Sequence, residues 1–586
     1  MEEKKIITLS IDNEKVSVPS GTTILHAAEK LGIVIPRLCY HPKLSLEGAC
    51  RVCIVKVVGE NAYSTACSTP VREGMEVLTH SPEIREARRD IVELILDNHP
   101  KECQTCERDG HCELQKLAYD LGVRERHFEG KRKQFPLEDS SRSVVRDSEK
   151  CILCKRCVRV CQEVQGVCNL SQHHRGFSTV VAPAYEANMD ESVCIQCGQC
   201  INVCPTASLQ EKRHSDRVWK ALNDPTKYVV VQTAPSIQAA IGEEFGLMPG
   251  TPCTGKLVSA LRKMGFHTVF STDFAADLTI LEEATELMHR LKTQEKLPLI
   301  TSCSSGWVNF MEKFYPELIP NASSCRSPMS MMSAIIKTYY AKKIRKDPKD
   351  IFVVAVMPCV AKKYEIERKE QYLDGMQLTD AVLTTREMGW MIKSYGINFT
   401  NLPDGDFDTP LGECSGAGVI FGTTGGVMEA ALRTAAEVVT GKSLENVEFT
   451  EVRAVEGLRE KVLKIGDLTL HIGVANGLVN AKKLLNMVLS KEKMFHVIEV
   501  MACPGGCIGG GGQPYPTQGY TILDPRLLAK RAEALYTIDK GKKIRVSKDN
   551  PSIQQLYKDF LQKPGSEIAK KLLHTEYHPN FPRGVR

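Results

Sequence analysis

No run of about 18 apolar residues occurs anywhere in the 586-residue chain, which argues against a membrane-spanning helix. The opening MEEKKIITLSIDNEK lacks the apolar core of a secretory signal. Neither sign of charge dominates: 76 Lys and Arg stand against 71 Asp and Glu, a formal +5 that makes no case for nucleic acid. The mixed run Arg124-Glu125-Arg126 to Lys131-Arg132-Lys133 reads as a solvated connector. A GxGxxG fingerprint after a strand is missing, so NAD(P) and flavin are expected on another subunit. No appended signalling domain is evident in the sequence either. Hydrophobic content of 42% and charged content of 25% are ordinary for a soluble protein. The length exceeds what one core supports, so several domains are expected. Cysteine is what the chain has in excess, with 23 residues. Without a secretory leader these thiols stay reduced and open to metal, which predicts a cytoplasmic protein with neither membrane nor nucleic-acid partner.

The strongest pattern is a duplicated one. Cys151-x2-Cys154-x2-Cys157-x3-Cys161 recurs as Cys194-x2-Cys197-x2-Cys200-x3-Cys204, and Pro205 closes the second run. In such a pair, three thiolates of each run wrap one cubane and the fourth reaches the other cubane. This assigns Cys151, Cys154, Cys157 and Cys204 to one [4Fe–4S] cluster, and Cys194, Cys197, Cys200 and Cys161 to a second. Structural zinc also uses paired CxxC, but not this doubled spacing. Cys168, outside both runs, reads as a spare buried thiol.

Upstream, Ile6, Thr8 and Ser10, then Asp12-Asn13, then Val16 and Val18 alternate as a hairpin. Ser20-Gly21-Thr22 then predicts a helix start running through Ile24, Leu25, Ala28 and Leu31. Cys39-x10-Cys50-x2-Cys53-x13-Cys67 follows, a spacing by which a β-grasp loop encloses a [2Fe–2S] cluster. This portion resembles the ferredoxin-like domain at the front of complex I large subunits and long [FeFe]-hydrogenases. After an amphipathic helix over 84–96, His99-x3-Cys103-x2-Cys106-x5-Cys112 offers one imidazole and three thiolates. We read them as a His-ligated [4Fe–4S] cluster, with zinc as the competing reading.

From about 225, short apolar runs (228–232, 299–300, 351–356) alternate with helical patterns at 281–292, 328–341 and 425–439. That predicts an α/β domain with buried parallel strands, whose ligands gather at the strands' carboxyl ends. Three motifs sit there: TSCSSGW at 301–307, MPCVAKKYE at 357–365 and EVMACPGGCIGGGGQP at 499–514. The last two resemble signatures of [FeFe]-hydrogenases, and the order of modules is similar to the hydrogen-activating subunit of multimeric NAD(P)-linked members. The chain beyond about 525 is similar to that family's small subunit. The resulting fold is multidomain α+β and α/β: a β-grasp [2Fe–2S] domain over 1–80, a His-ligated [4Fe–4S] domain over 81–120 and a connector over 121–140. A two-cluster ferredoxin domain over 141–215, an α/β catalytic domain over 225–524 and a helical small-subunit segment over 525–586 complete it.

The resemblance implies an H-cluster, a cubane joined to a diiron unit carrying CO, cyanide and a bridging dithiolate, in addition to one [2Fe–2S] and three accessory [4Fe–4S] clusters. Cys359, Cys503 and Cys507 would hold the cubane, with Cys507 as the bridge. Lys362 would donate to a cyanide, while Ala234, Pro235, Ser236, Met357 and Met501 would line the pocket. Thr424-Gly425-Gly426-Val427 is similar to a pocket loop of the family. The family's first motif reads TSCCPGW, so Ser304 stands here on the fourth cubane ligand and Cys303 on the thiol that relays protons. Either Cys325 completes the cubane while Cys303 relays, or Cys303 becomes the ligand. The implied relay is Cys303, Glu283, Ser323 and Glu286, although Glu283 and Glu286 could equally form a helix's solvated face. Cys253 and Cys414 fit no cluster pattern. The implied activity is reversible H2 oxidation, with electrons passing from the cubane through the ferredoxin clusters to the His-ligated and [2Fe–2S] clusters. Implied partners are H2 and protons, a flavin- and NAD(P)-binding subunit, a small [2Fe–2S] subunit and ferredoxin, in complexes that can bifurcate electrons. A non-catalytic electron wire and an H2 sensor are the alternatives.

Overall fold

In the computed structural model the described residues are 5–581, except 129, 442–446, 454–455, 467 and 518. The chain opens with the expected hairpin, Ile6–Ile11 against Glu14–Pro19, in which Ile11 faces Glu14. Asp12 (φ 49°) and Asn13 (φ 70°) take the left-handed turn conformation that Asp and Asn tolerate. Five strands form the sheet in the order Glu14–Pro19, Ile6–Ile11, Glu76–Leu78, Ile54–Val57 and Tyr63–Thr65. Leu9, Ile11, Val18, Ile24, Leu25 and Val55 share its core. The helix begins later than the Ser20–Thr22 signal suggested. Thr23 caps it by accepting from His26 N, and Ile24–Lys30 are helical.

Helix Pro82–Asp97 has Ser81 as its cap, accepting from Ile84 N at 3.2 Å, with Pro82 in the first turn. The two-cluster module is closed by strand Val144–Arg146 pairing antiparallel with Leu209–Glu211. Cys168 corrects its expectation: it is exposed, at a turn with φ 56°.

Two four-stranded sheets carry the large domain. The first is wholly parallel, in the order Thr268–Ser271, Tyr228–Thr233, Ile351–Val356 and Ala381–Leu383. The second runs Leu299–Ile300, Val497–Met501, Leu468–Asn476 and Leu458–Ile465. Its last pair is antiparallel, so the expected all-parallel arrangement holds only for the first sheet. The edge strand Leu458–Ile465 is mostly uncovered, unlike the buried strands beside it. Helix Thr272–Thr293 starts nine residues before the pattern at 281, because its first turns (Thr272 to Ile280) are buried on every side and show no polar face.

The closing segment belongs to this domain's packing. Leu528 and Leu535 of helix Pro525–Gly541 enter a core with Val419 and Ile508. Leu572 and Leu573 of helix Glu567–Leu573 pack with Phe274 and Ile335. Arg433, fully buried, pairs with Asp539 through two contacts of 2.9 Å. No helix among the described residues is long and apolar enough to cross a membrane.

Candidate metal centres and proton path

In the N-terminal module Cys39, Cys50, Cys53 and Cys67 are all buried, and each exchanges sulfur hydrogen bonds with another of the four. Cys39 N donates to Cys50 Sγ at 3.4 Å. Four sulfurs turned on one another without disulfides make a donor set for a [2Fe–2S] cluster.

His99 is buried, and its Nδ1 has no partner. Burial, helped by Arg126 and Lys150, lowers its pKa to about 4, so it is neutral and free to ligate. Arg126 donates to His99 O at 3.0 Å and also feels Cys103, while Lys150 feels Cys106. The imidazole and thiols therefore share one neighbourhood, and an orphaned neutral nitrogen suits iron.

The charges follow the crossed pairing of the ferredoxin runs in part, since Cys157 also feels Cys161 and Cys200 also feels Cys157. Cys151, Cys154 and Cys157 each feel Cys204, whereas Cys197 and Cys200 feel Cys161 and Cys194. Burial pushes the Cys154 and Cys161 thiols up to about 12. A buried thiol that resists ionising will give up its proton to a metal, so loading is coupled to proton release.

Two arginines tie the N-terminal modules to the Cys151 group. Arg159 Nη2 reaches Cys39 O at 2.6 Å and Cys154 O at 3.2 Å, and Arg108 Nη2 reaches Cys204 O at 2.8 Å. On the opposite side the Cys194 group abuts the large domain. Cys197 feels Cys503; Gln199 Nε2 donates to Gly509 O at 2.9 Å, and Asn202 Nδ2 to Gly510 O at 3.2 Å. Arg386, buried and paired with Glu211, donates to Gly511 O at 2.6 Å and Gln513 O at 2.7 Å. A Cβ on Gly511 would lie 2.4 Å from Cys197 O, so only glycine permits this approach.

Strand ends of both sheets converge on the remaining thiols. Met357 and Cys359 follow Ile351–Val356, Cys503 and Cys507 follow Val497–Met501, and Ala234, Pro235 and Ser236 follow Tyr228–Thr233. Cys503 feels Cys359 and Cys507, and Cys507 feels Cys359 and Lys362. Burial pushes the Cys507 thiol up to about 12. Lys362 Nζ binds Glu365 Oε2 at 2.6 Å and Cys303 O at 3.3 Å, which leaves one of its three donors free. Ser236 Oγ and Thr424 Oγ1 are buried and unpartnered. Met357 shares a core with Ala234, and Met501 one with Cys303. Orphaned donors around three sulfurs fit a buried polar cofactor.

The comparisons agree. Residues 227–511 match "Iron only hydrogenase large subunit, C-terminal domain" and 525–580 match "Iron hydrogenase small subunit". Upstream, 4–82 match a 2Fe-2S cluster binding domain, 88–127 the NADH-ubiquinone oxidoreductase-G iron-sulfur binding region, and 150–208 a 4Fe-4S dicluster domain. An NADP-reducing hydrogenase subunit of Solidesulfovibrio fructosivorans is 48% identical over 98% of this chain and 99% of its own.

The chain belongs to the [FeFe]-hydrogenase family.

Iron hydrogenase 1 of Clostridium pasteurianum is 40% identical over 97% of this chain and 99% of its own. An apo [FeFe]-hydrogenase variant from Chlamydomonas reinhardtii superposes with a TM-score of 0.55 at 42% identity, covering 62% of this chain and 98% of its own. The chain is thus an enzyme of reversible H2 oxidation, with iron–sulfur modules passing its electrons.

Within this hydrogenase the four expected relay residues lie together. Cys303 feels Glu283 and Cys507; Glu283 neighbours Ser323 and Glu286; Ser323 Oγ donates to Glu286 Oε2 at 3.3 Å. Glu283 is only 4% exposed, so the solvated-face alternative fails for it. Burial, with the Glu286 charge adding and Ser323 opposing, raises Glu283 to about 7.

Cys325 requires a correction, because the structure does not bring it to the three cubane thiols. It is fully buried among Glu283, Glu286 and Glu282, and its neighbourhood is carboxylate rather than sulfur. Two backbone ties hold it there: Ser302 Oγ donates to Cys325 O at 2.8 Å, and Arg326 N to Leu573 O at 2.8 Å. Ser304 precedes helix Ser305–Phe314 without a side-chain capping bond, and its Oγ accepts from Ala502 N at 3.3 Å, one residue from Cys503.

Sequence reasoning missed Glu499, Glu282, Arg290, Ser324 and His574. Glu499 accepts from Gly425 N and Met428 N at 2.7 Å, closing the N-terminus of helix Gly426–Thr440 over the site. Its place at the head of the EVMAC motif was the available signal. The others meet only through folding: Arg290 Nη2 pairs with Glu286 at 2.5 Å, and His574 comes from the far end of the chain.

Proposed function

We propose that this hydrogenase is the hydrogen-activating subunit of a multimeric, NADP-linked complex, holding an H-cluster, three accessory [4Fe–4S] clusters and one [2Fe–2S] cluster. The observation that carries this reading is the convergence of Cys359, Cys503 and Cys507 beside Lys362, with Cys197 on one side and Cys303 and Glu283 on the other. Electrons and protons thus have separate residues to leave by, Cys197 for the first and Cys303 with Glu283 for the second. When bound, the H-cluster supplies the iron at which H2 is split or formed. Everything else is the work of this chain's residues.

Cys303 and Glu283 hold and move the proton. The thiol is pushed up by burial and by the Glu283 and Cys507 charges, so it stays protonated and ready to donate. Glu283, balanced near 7, exchanges that proton in either direction, and Ser323 and Glu286 carry it outward. Lys362 is oriented by Glu365, which also accepts from Ser327 Oγ at 2.5 Å, and offers its remaining N–H to a cyanide. Ala234, Pro235, Ser236, Met357 and Met501 exclude water. With Cys325 placed elsewhere, Ser304 or Cys303 takes the fourth cubane position. Ser304 Oγ lies 3.3 Å from Ala502 N, next to Cys503, while Cys303 feels Cys507 as well as Glu283.

Cys161, Cys194, Cys197 and Cys200 would hold the cluster next to the cubane, and Cys151, Cys154, Cys157 and Cys204 the one beyond it; bound there, these clusters would supply the electron path. From there the His-ligated and [2Fe–2S] modules would take electrons onward, a reading supported by Arg108 and Arg159, which tie the loop after His99 and the Cys39 loop to the Cys151 group. The partners in this reading are a flavin- and NAD(P)-binding subunit with a small [2Fe–2S] subunit, and a ferredoxin. The full-length likeness to an NADP-reducing hydrogenase subunit supports an NADP-linked assembly of several subunits. In this reading the domains run over 1–80, 81–120, 141–215, 225–524 and 525–586, with 121–140 as a connector.

The test is maturase-activated protein assayed for H2-dependent dye reduction, with infrared spectra of the CO and cyanide bands. Both signals are expected. A protein carrying all accessory clusters but neither bands nor activity would be an electron wire.

A further inference from the structure

Where the proton relay nears the surface, three metal-binding side chains of different kinds meet. The ligand atoms of Glu286, Cys325 and His574 all lie within 4.8 Å of one another. We propose that these three residues form a binding site for a zinc-class divalent cation, and that an ion there closes the outer end of the proton relay. The site is independent of the functional reading above; its effect on turnover rests on it.

The donors come from three parts of the chain, held in register by backbone. Glu286 belongs to helix Thr272–Thr293, Cys325 follows the turn Pro316–Asn321, and His574 caps helix Glu567–Leu573. Cys325 and His574 form a bridge pair, and Thr575 N donates to Ser324 O at 2.7 Å. Tyr577 Oη donates to Cys325 O at 3.2 Å. The imidazole is oriented on both sides, with Nδ1 2.8 Å from Ser324 Oγ and Nε2 3.1 Å from Glu282 Oε2. Whichever nitrogen ligates, the other keeps a partner that fixes the ring, as outer partners do in zinc sites.

The charge balance favours a cation. Glu282, Glu283 and Glu286 crowd one stretch of helix, where Arg290 pairs with Glu286 and His574 Nε2 lies 3.1 Å from Glu282 Oε2. A divalent ion bound as M2+ + Cys–SH → [M–S–Cys]+ + H+ releases one proton to solvent and adds one net positive charge. A thiolate, an imidazole and a carboxylate together select zinc over magnesium or calcium, with water filling the fourth position. Glu286 currently accepts from Ser323 Oγ at 3.3 Å and Ser324 Oγ at 3.1 Å. An ion on that carboxylate removes the acceptor to which the relay delivers its proton.

The experiment uses the matured holoenzyme, titrated with zinc and desalted, then read by elemental analysis and zinc X-ray absorption. One retained equivalent is expected, with about one sulfur near 2.3 Å and nitrogen or oxygen ligands near 2.0–2.1 Å. Cys325→Ala and His574→Gln should each lose that equivalent, and zinc should inhibit wild-type H2 oxidation at concentrations at least tenfold below those needed for either variant. A zinc shell of three or four sulfurs, or equal retention by both variants, would overturn the site. Correct coordination with undiminished turnover would overturn the closure of the relay. Because the absorption readout needs no activity, it remains decisive if the hydrogenase reading itself fails.

Discussion

Replacing Glu283 by Gln removes the one carboxyl between Cys303 and Ser323 while keeping its shape. The native group is buried and raised from 4.5 to about 7. With that value it is about nine-tenths protonated at pH 6 and about one-tenth at pH 8. Proton reduction needs the protonated form and should fall about tenfold over this interval when the relay limits turnover. H2 oxidation needs the ionised form and should rise by the same factor. The sign for stability follows from the same shift. The folded state holds the extra proton between 4.5 and about 7, so stability is fullest below that window and declines as pH climbs through it, by at most about 3 kcal/mol. Glu283→Gln cannot shuttle a proton, and turnover in both directions should drop by about 10²–10⁴. The assay is dye-coupled H2 oxidation and evolution from pH 6 to 8, with cluster absorption and infrared bands confirming that the centres are loaded. A loaded variant that keeps more than a tenth of wild-type turnover, with the wild-type pH profile, would refute the relay.

Three further substitutions probe other parts of the argument. His99→Cys should give an all-thiolate cluster whose extra negative charge lowers its reduction potential, measured by redox titration followed by EPR; an unchanged potential would remove His99 from the ligand set. Ser304→Cys should supply a fourth thiolate to the cubane and alter its Mössbauer and EPR signature; spectra identical to wild type would place the ligand elsewhere. Gly511→Ala would set a methyl group 2.4 Å from Cys197 O, and relieving that overlap should cost about 1–3 kcal/mol. Thermal denaturation of the loaded protein should register it, together with slower electron delivery from the accessory clusters than from a dye acting at the cubane. A variant as stable as wild type, with unchanged delivery, would mean that the module docks differently.

Much of the architecture was legible because its parts are set by local spacing. Ligand runs of the CxxCxxCxxxC type need neighbouring thiols at fixed intervals, and the Asp12-Asn13 turn needs residues that tolerate positive φ. The two motifs MPCVAKKYE and EVMACPGGCIGGGGQP likewise declared a shared pocket before any contact was seen. Helix Thr272–Thr293 was half-hidden, since burial on all sides erases the periodicity by which a helix is recognised.

What sequence alone determined was the kinds of module and their order along the chain. What folding alone decided was adjacency. Cys325 stands a few residues from a relay serine and looked available to the cubane, yet its backbone is pinned to the closing segment and turns its thiol toward Glu282, Glu283 and Glu286. Cys197 meets Cys503, and Glu286 meets His574, across hundreds of residues. Short spacings are constrained by the reach of a few bonds, whereas these meetings depend on how several cores pack at once, and no local pattern encodes that.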